Sequence, residues 1–370
     1  MTALRQLGAK GFRPFFLLAG SFAVLVVPLW VGSLWGGAAP RGALIGVTWH
    51  AHEMIFGFLV AVIAGFLLTS VEAWTGRPTL RGPWLLAAAA LWLSARVALW
   101  FGFPLASALD LAFLPLLIAG IAGPLVHTRN VRNLPFLVLL GALWFANLAV
   151  HLDATGVWPG AAASAHRAAV SVVAVIILVV AGRVVPLFTR NSTGDASVRS
   201  IVFLDRLAIG STVLLAVAQL SPPSAARDVL SVVAGLATLA RMGGWWTREV
   251  ATRPLLWVLH LGHAAVGLGL LLTELHLITV GGAGLLTIGM MTRVSLGHTG
   301  RTRRVDGVFA LAFGAIALAA VVRVVGPWWA PTDTLRWLAV AAVLWSGGFA
   351  AFVTRIGPML VAPRPDGKPG

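Results

Sequence analysis

One stretch of the chain decides its class of fold: residues 52–71 read HEMIFGFLVAVIAGFLLTSV, in which Glu53 is the single charged side chain. A helix needs about 20 consecutive, mainly apolar residues to cross the hydrocarbon core of a bilayer. This stretch has both the length and the composition. It therefore predicts a transmembrane helix.

The composition of the whole chain indicates that lipid surrounds most of it. Its 370 residues are 59% hydrophobic and 11% charged, and the mean hydropathy is +0.91. Soluble domains carry roughly 25% charged residues, so this chain has too few to cover an aqueous surface. Cysteine and tyrosine are both absent. Disulfides, thiolate-bound haem, iron–sulfur clusters and phenol chemistry are therefore excluded.

Apolar runs of similar length recur along the chain and predict an all-α, polytopic transmembrane bundle of about twelve helices. We expect a single transmembrane domain over residues 1–361 and a disordered, Pro/Gly-rich tail over residues 362–370. Ten or eleven spans with one long bent helix is the alternative, because little more than Phe103-Pro104 separates the third and fourth runs. The predicted spans lie near residues 15–35, 52–71, 84–103, 105–126, 134–152, 166–187, 203–220, 228–243, 254–273, 276–296, 307–325 and 335–353.

Basic residues predict the orientation of these spans. A net charge of +15 would suggest a nucleic-acid partner in a soluble protein, but here the basic residues cluster in short loops beside apolar runs, as the positive-inside rule describes. We therefore expect both termini in the cytoplasm and no nucleic-acid partner. With that orientation, few arginines fall in the outer loops: Arg41, Arg167, Arg227, Arg323 and Arg336.

Two histidines open the second span on the predicted outer side. His50 and His52 are followed by Glu53 and Met54, and imidazoles with a nearby thioether or carboxylate suit copper or haem iron. Residues two apart diverge on a regular helix, so one metal would need an irregular helix start. The alternative is an interfacial pair hydrogen-bonded to backbone and water. Glu53 is the best-placed proton donor.

The ninth span carries a second pair, His260 and His263, surrounded by apolar residues. Residues three apart share a helix face, so one imidazole could ligate haem iron. We expect Gly262, Gly267 and Gly269 to leave room for a flat cofactor. Hydrogen bonds to neighbouring helices are the alternative role of both histidines.

Other histidines fall at the ends of spans. His276, His151 and His166 lie on the predicted outer side, where they could join a metal site with the first pair. Solvated positions at loop ends are equally consistent with their places in the sequence. His127 and His298 lie among cytoplasmic arginines and are expected to be interfacial.

Two arginines lie inside predicted spans, where a buried guanidinium needs an anionic partner. Arg183 could bind a haem propionate, or the helix carbonyls that Pro186 frees. Arg96 invites the same interpretation, unless it extends towards the membrane surface. Arg183 and Glu53 are the candidate catalytic residues.

Several motifs, taken in order along the chain, resemble the NnrS family, bacterial membrane proteins associated with the response to nitric oxide. The matching stretches are RPFF (13–16), WHAHEMIFGF (49–58), TGRP (75–78), GRVVPLFTRN (182–191), LH (259–260) and the run over residues 276–301.

The resemblance implies a twelve-helix protein of the bacterial inner membrane, with haem (of b type) and copper as cofactors. It also implies nitric oxide as ligand or substrate, in denitrification or protection from nitrosative stress. His263 stands where the family usually has an aromatic residue, so we rank it below His260. The candidate cofactor-binding residues are then His260, His263, Arg183 and Arg96, and the candidate metal ligands are His50, His52, His276, His260 and His151.

Three functions fit these expectations, and a structural scaffold without a cofactor is the alternative to all of them. The first is an oxidoreductase that resembles nitric oxide reductases, and the second is a protein that binds or senses nitric oxide or metal without turnover. The third is a transporter of metal or a small solute, although no Walker A loop is present to drive it with ATP. The absence of tyrosine favours nitric oxide chemistry over four-electron oxygen reduction.

Overall fold

The computed structural model describes residues 3–303 and 305–368, and their regular secondary structure is helical, without a strand. The first half contains the helices Ala3–Leu7 (α1), Phe12–Leu34 (α2), Gly46–Thr75 (α3), Gly82–Phe101 (α4), Ala106–His127 (α5), Pro135–Ala154 (α6) and Ala161–Thr193 (α7). The second half contains Val202–Ala218 (α8), Ala225–Ala240 (α9), Pro254–Leu271 (α10), Leu277–His298 (α11), Gly307–Trp329 (α12) and Thr334–Val361 (α13). Arg304 and the end of the predicted tail, Pro369 and Gly370, lie outside the described residues.

Within the described residues, ten helices are long and apolar enough to cross a membrane. The predicted class, an all-α multi-pass membrane protein, is thereby confirmed. The seventh and eighth predicted spans correspond to α8 and α9, which have 17 and 16 residues. Because these are shorter than the length that usually spans a bilayer, the count of twelve and the sides of the termini stay predictions.

A glycine turn separates α4 from α5, the two helices whose boundary was weakest in the sequence. Gly102 has a φ of +73° and donates its N–H to the carbonyl of Ala98 at the end of α4. Glycine adopts this left-handed conformation without the steric cost of a side chain. The chain therefore forms two helices here, not one long bent helix.

The chain divides into two compact units. The first is Met1–His166, Met291–Arg303 and Phe349–Gly370, and the second is Arg167–Met290 and Arg304–Gly348. Aromatic side chains fill much of the interior of the first unit, such as Phe58 and Phe349, whose ring centroids lie 5.3 Å apart. The single domain and disordered tail expected from the sequence stay predictions.

Two helices contain π-helical turns. They cover Glu53–Leu59 in α3 and Leu277–Gly284 in α11. In α3 the irregular winding starts directly after His52. Such turns are uncommon and occur frequently at functional sites, so both positions are of interest for function.

Candidate metal centre

Four helices of the first unit bring six polar side chains together among apolar ones. We call them the polar cluster: His52 and Glu53 of α3, Arg96 of α4, Asp110 of α5, and Asn147 and His151 of α6. All six are buried, and His52 is not exposed at all. Ionisable groups in such surroundings are costly unless they pair with one another, and here they do.

Asp110 is the centre of the polar cluster. Its Oδ2 lies 3.1 Å from Nε2 of His52 and 2.9 Å from Nε2 of His151, and it accepts a hydrogen bond of 2.7 Å from Nδ2 of Asn147. Its Oδ1 pairs with the Arg96 guanidinium. One carboxylate thus holds groups from three other helices.

Arg96 also binds the second carboxylate of the polar cluster. Its Nη1 donates to both carboxylate oxygens of Glu53 at 3.1 Å. Oε1 of Glu53 lies 3.3 Å from Nδ1 of His52. Two carboxylates therefore face one guanidinium, which leaves an excess of one negative charge when both imidazoles are neutral.

Local helix geometry explains how these side chains meet. Asn147 and His151 are four residues apart and share one face of α6, as Trp92 and Arg96 do on α4. Trp92 donates its indole N–H to the carbonyl of Gly57 at 3.1 Å, inside the π-helical turn of α3. A side chain at Gly57 would lie 2.9 Å from Oε2 of Glu53. Glycine at this position therefore allows the Glu53 carboxylate to occupy its observed position.

Three members of the polar cluster could hold a metal ion. Ligand atoms of His52, Asp110 and His151 all lie within 4.8 Å of one another. Two imidazoles and a carboxylate are a donor set for iron, zinc or copper. A carboxylate on the other nitrogen of a ligating histidine is also typical of metal sites, and Glu53 stands in that position on His52. The residues present therefore fit a first-row transition metal.

A family model described as NnrS protein matches residues 6–364, nearly the whole chain. This chain belongs to the NnrS family. A search of curated proteins found no match.

Two of the other histidines in the first unit of this NnrS-family chain, His50 and His166, were predicted on the outer side but lie outside the group of metal-ligand atoms. The ring of His50 stacks on Trp30, with centroids 3.9 Å apart and planes inclined by 16°. The ring of His166 lies 6.3 Å from that of Phe56, and its Nε2 is buried without a hydrogen-bond partner among the described residues. His52 and His151 are thus the predicted metal ligands that the fold brings together.

The histidine pair of α10 lies in the second unit, and its two members differ. In His260, Nδ1 lies 3.0 Å from the carbonyl of Leu256 and Nε2 lies 3.4 Å from that of Trp245. His263 is not exposed at all, its ring packs 4.8 Å from Trp245, and neither ring nitrogen has a hydrogen-bond partner of normal geometry among the described residues. His263, rather than His260, therefore has ring nitrogens without a hydrogen bond of normal geometry.

The glycines of α10 serve close helix packing. A side chain at Gly262, Gly267 or Gly269 would meet a neighbouring residue of the second unit at 2.9 Å or less. The expectation that these glycines leave room for a flat cofactor is therefore wrong for this conformation. His263 has a nitrogen that could ligate haem iron, but these glycines do not form a cavity for the flat haem ring.

Arg183 and His276 are the remaining predicted site residues, both in the second unit. Arg183 is half-buried on α7. His276 is half-buried just before α11, and its Nδ1 lies 3.4 Å from Oε1 of Glu274. The hydrogen bond from His276 holds the pKa of Glu274 below its ordinary value.

Sequence reasoning missed several polar residues that the fold makes central. Asp110 is the acidic residue of an otherwise apolar span, and that isolation was a usable signal. Asn147 gave a weaker one. In the second unit, Arg241 is buried, pairs with Asp205 at 2.7 Å and lies 4.9 Å from the Trp245 ring.

Proposed function

We propose that this protein binds nitric oxide at a transition-metal centre held by His52, Asp110 and His151, and reduces it there. The observation that carries the proposal is that ligand atoms of these three buried residues all lie within 4.8 Å of one another. Copper is the ion that the resemblance to the family implies. We place the protein in the bacterial inner membrane, with twelve spans and both termini in the cytoplasm.

The overall reaction is balanced with an external donor. Two molecules of nitric oxide, two electrons and two protons give one nitrous oxide and one water. The metal would supply the binding position for nitric oxide and the change of redox state. The protein's own residues supply protons and hold the site in shape.

Two residues of the polar cluster, Glu53 and Arg96, support the three proposed ligands. Glu53 contacts Nδ1 of His52, so it fixes the ring with Nε2 turned towards Asp110 and is the nearest carboxylate through which a proton can reach the site. Arg96 pairs with both carboxylates and reduces the negative charge that a buried site must carry. Glu53 and Arg96 are therefore positioning residues.

Haem is the second cofactor implied by the resemblance. His263 offers an imidazole without a hydrogen bond of normal geometry, whereas close packing at the α10 glycines leaves no room for a flat group. We therefore assign haem no step in the reaction. An absorbance spectrum of purified protein tests its presence, and a His263→Leu variant tests this ligand.

The decisive experiment compares two histidine variants of the full chain. We expect the purified protein to contain copper, to show a spectral change with nitric oxide, and to consume nitric oxide when a reductant is supplied. His151→Gln should lower copper content and consumption together. His127→Gln is the matched control, since His127 is exposed and outside the polar cluster.

The outcomes separate the candidate functions. Full copper content and consumption in His151→Gln would overturn the proposal. Bound nitric oxide without steady-state consumption would assign the protein to binding or sensing.

The π-helical turns in α3 and α11 favour transport as a second candidate, because irregular helices line many transport paths. Metal uptake into proteoliposomes without nitric oxide consumption would support it.

A further inference from the structure

Four arginines lie together at one end of the first unit. None of them belongs to the polar cluster. We call them the arginine cluster: Arg13 at the start of α2, Arg301 and Arg303 after α11, and Arg364 after α13. Arg13 donates to carbonyls at the end of α13, just before Arg364, and Nη1 of Arg364 donates to the carbonyl of His298 at the end of α11 at 3.1 Å. The arginine cluster lies on the predicted cytoplasmic side.

Arg13 is the unusual member because it is not exposed at all. Its Nη1 donates to the carbonyls of Leu360 and Ala362 at 2.7 and 2.9 Å, at the end of α13. These bonds satisfy carbonyls that a helix end leaves open. Nε and Nη2 of Arg13 are buried without a hydrogen-bond partner among the described residues. A buried guanidinium stays charged and its unmet N–H groups are costly.

Glycines at the end of α11 and in the loop after it leave space for the other guanidinium groups. A side chain at Gly297 would lie 3.2 Å from Nε of Arg303, and one at Gly300 would lie 3.2 Å from Nε of Arg364. Gly300 also has a φ of +70°, which favours glycine. The loop is therefore shaped so that arginine side chains can lie against its backbone.

Carboxylates do not balance these charges. Asp366 binds Arg364 through two hydrogen bonds of 2.8 and 2.6 Å, and Glu72 pairs with Lys10 and Arg81. No carboxylate of the described residues pairs with Arg13, Arg301 or Arg303. The positive-inside rule accounts for arginines in solvated loops, but not for a buried one with unmet donors beside further positive charges.

We propose that the arginine cluster binds a phosphate-type oxyanion. Guanidinium groups bind planar or tetrahedral oxyanions through paired N–H groups, as Arg364 binds the Asp366 carboxylate here. The anion would offset the repulsion among the arginines, including the uncompensated charge of the buried Arg13. A lipid headgroup and free phosphate share this chemistry. This inference does not depend on the proposed nitric oxide reaction.

The test uses the full-length protein in lipid nanodiscs. In phosphatidylcholine discs, inorganic phosphate is added at constant ionic strength with chloride as reference, and thermal unfolding reports binding. A second arm replaces part of the phosphatidylcholine by phosphatidylglycerol, and native mass spectrometry counts retained lipid. We expect stabilisation in at least one arm. Stabilisation by phosphate alone indicates a soluble anion, and stabilisation with retained phosphatidylglycerol alone indicates a headgroup.

Charge-neutral variants decide whether the arginine cluster is the site. Arg301→Gln should weaken binding by about tenfold, since one charge-assisted hydrogen-bonding group is lost. Arg303→Gln, at an exposed position, should also weaken binding. It replaces the first variant in the test if Arg301→Gln does not fold. Arg77→Gln removes an exposed arginine of a loop on the same predicted side and should leave binding unchanged.

Two results would overturn the inference. The first is that neither phosphate nor phosphatidylglycerol stabilises the wild-type protein beyond its reference. The second is that Arg77→Gln weakens binding as much as Arg301→Gln and Arg303→Gln do, because the effect would then belong to the basic surface in general.

Discussion

At the scale of single residues, Asp110 makes polar contacts with more side chains of the polar cluster than any other member does. Two imidazoles and one amide lie within 3.1 Å of Oδ2, and Oδ1 faces Arg96. Removing one partner of a buried ion pair is expensive because the other charge stays behind. The same carboxylate is a candidate ligand, so its loss should affect stability and metal content together.

Asp110→Asn keeps the shape of the side chain and removes its charge. We expect a loss of about 3 kcal/mol in the free energy of unfolding, at the lower end for a broken buried pair because Glu53 still binds Arg96. Metal content should fall with it. Chemical unfolding and metal analysis of the purified variant measure both quantities.

Asp333→Asn is the matched control for that prediction. Asp333 pairs with Arg336 at 2.8 Å, but the Arg336 side chain is 80% exposed. An exposed ion pair contributes roughly 0–1 kcal/mol, and this one lies outside the polar cluster. Equal losses in the two variants would contradict the central position that we assign to Asp110.

At the scale of helices, glycine determines how closely α10 approaches the π-helical turn of α11. A side chain at Gly269 would lie 2.6 Å from Cγ1 and 2.8 Å from the backbone nitrogen of Ile278. A backbone atom cannot rotate away as a flexible side chain can. The contact between these two helices therefore needs glycine at this position.

Gly269→Ala should destabilise the protein by about 1–3 kcal/mol, the usual cost of overpacking a filled interior. Gly314→Ala is the control, because a side chain at Gly314 on α12 meets nothing within 4 Å. Alanine in an open helical position should instead add about 0.5–1 kcal/mol. Thermal unfolding of both variants measures whether each substitution lowers or raises the stability of the protein. A neutral Gly269→Ala would mean that α10 and α11 do not pack so closely.

At the scale of the whole molecule, α8 and α9 decide between ten and twelve spans. Each has fewer than the 18 residues that the other candidate spans reach. The loop between them, residues 219–224, lies outside the cytoplasm if both helices cross and inside it if neither does. Both topologies place the two termini on the same side.

Alkaline phosphatase inserted after Ser221 reports the side of this loop, because it is active only outside the cytoplasm. We expect activity, since twelve spans fit the bias in basic residues. The same insertion after Asn130, in the turn between α5 and α6, should be inactive. An inactive Ser221 insertion in stably expressed protein would reduce the count to ten.

The sequence alone predicted the helical class, the positions of most spans, the family and part of the candidate site. His52, Glu53, Arg96 and His151 were named from it because an ionisable group in an apolar run is costly wherever the run packs. It did not predict which of them meet. His50, adjacent in the chain to the site, turns to Trp30 instead.

The sequence by itself determined the properties that depend on local composition. Hydropathy and charge act along each apolar run, so the lipid surroundings and the order of helices follow without knowledge of packing. The tertiary structure decided the partners. Asp110 meets His52 from 58 residues away and His151 from 41, and the packing of α10 removes the cofactor space that its glycines suggested. Such contacts depend on which helix faces turn towards each other, and that is settled only when the whole bundle has packed.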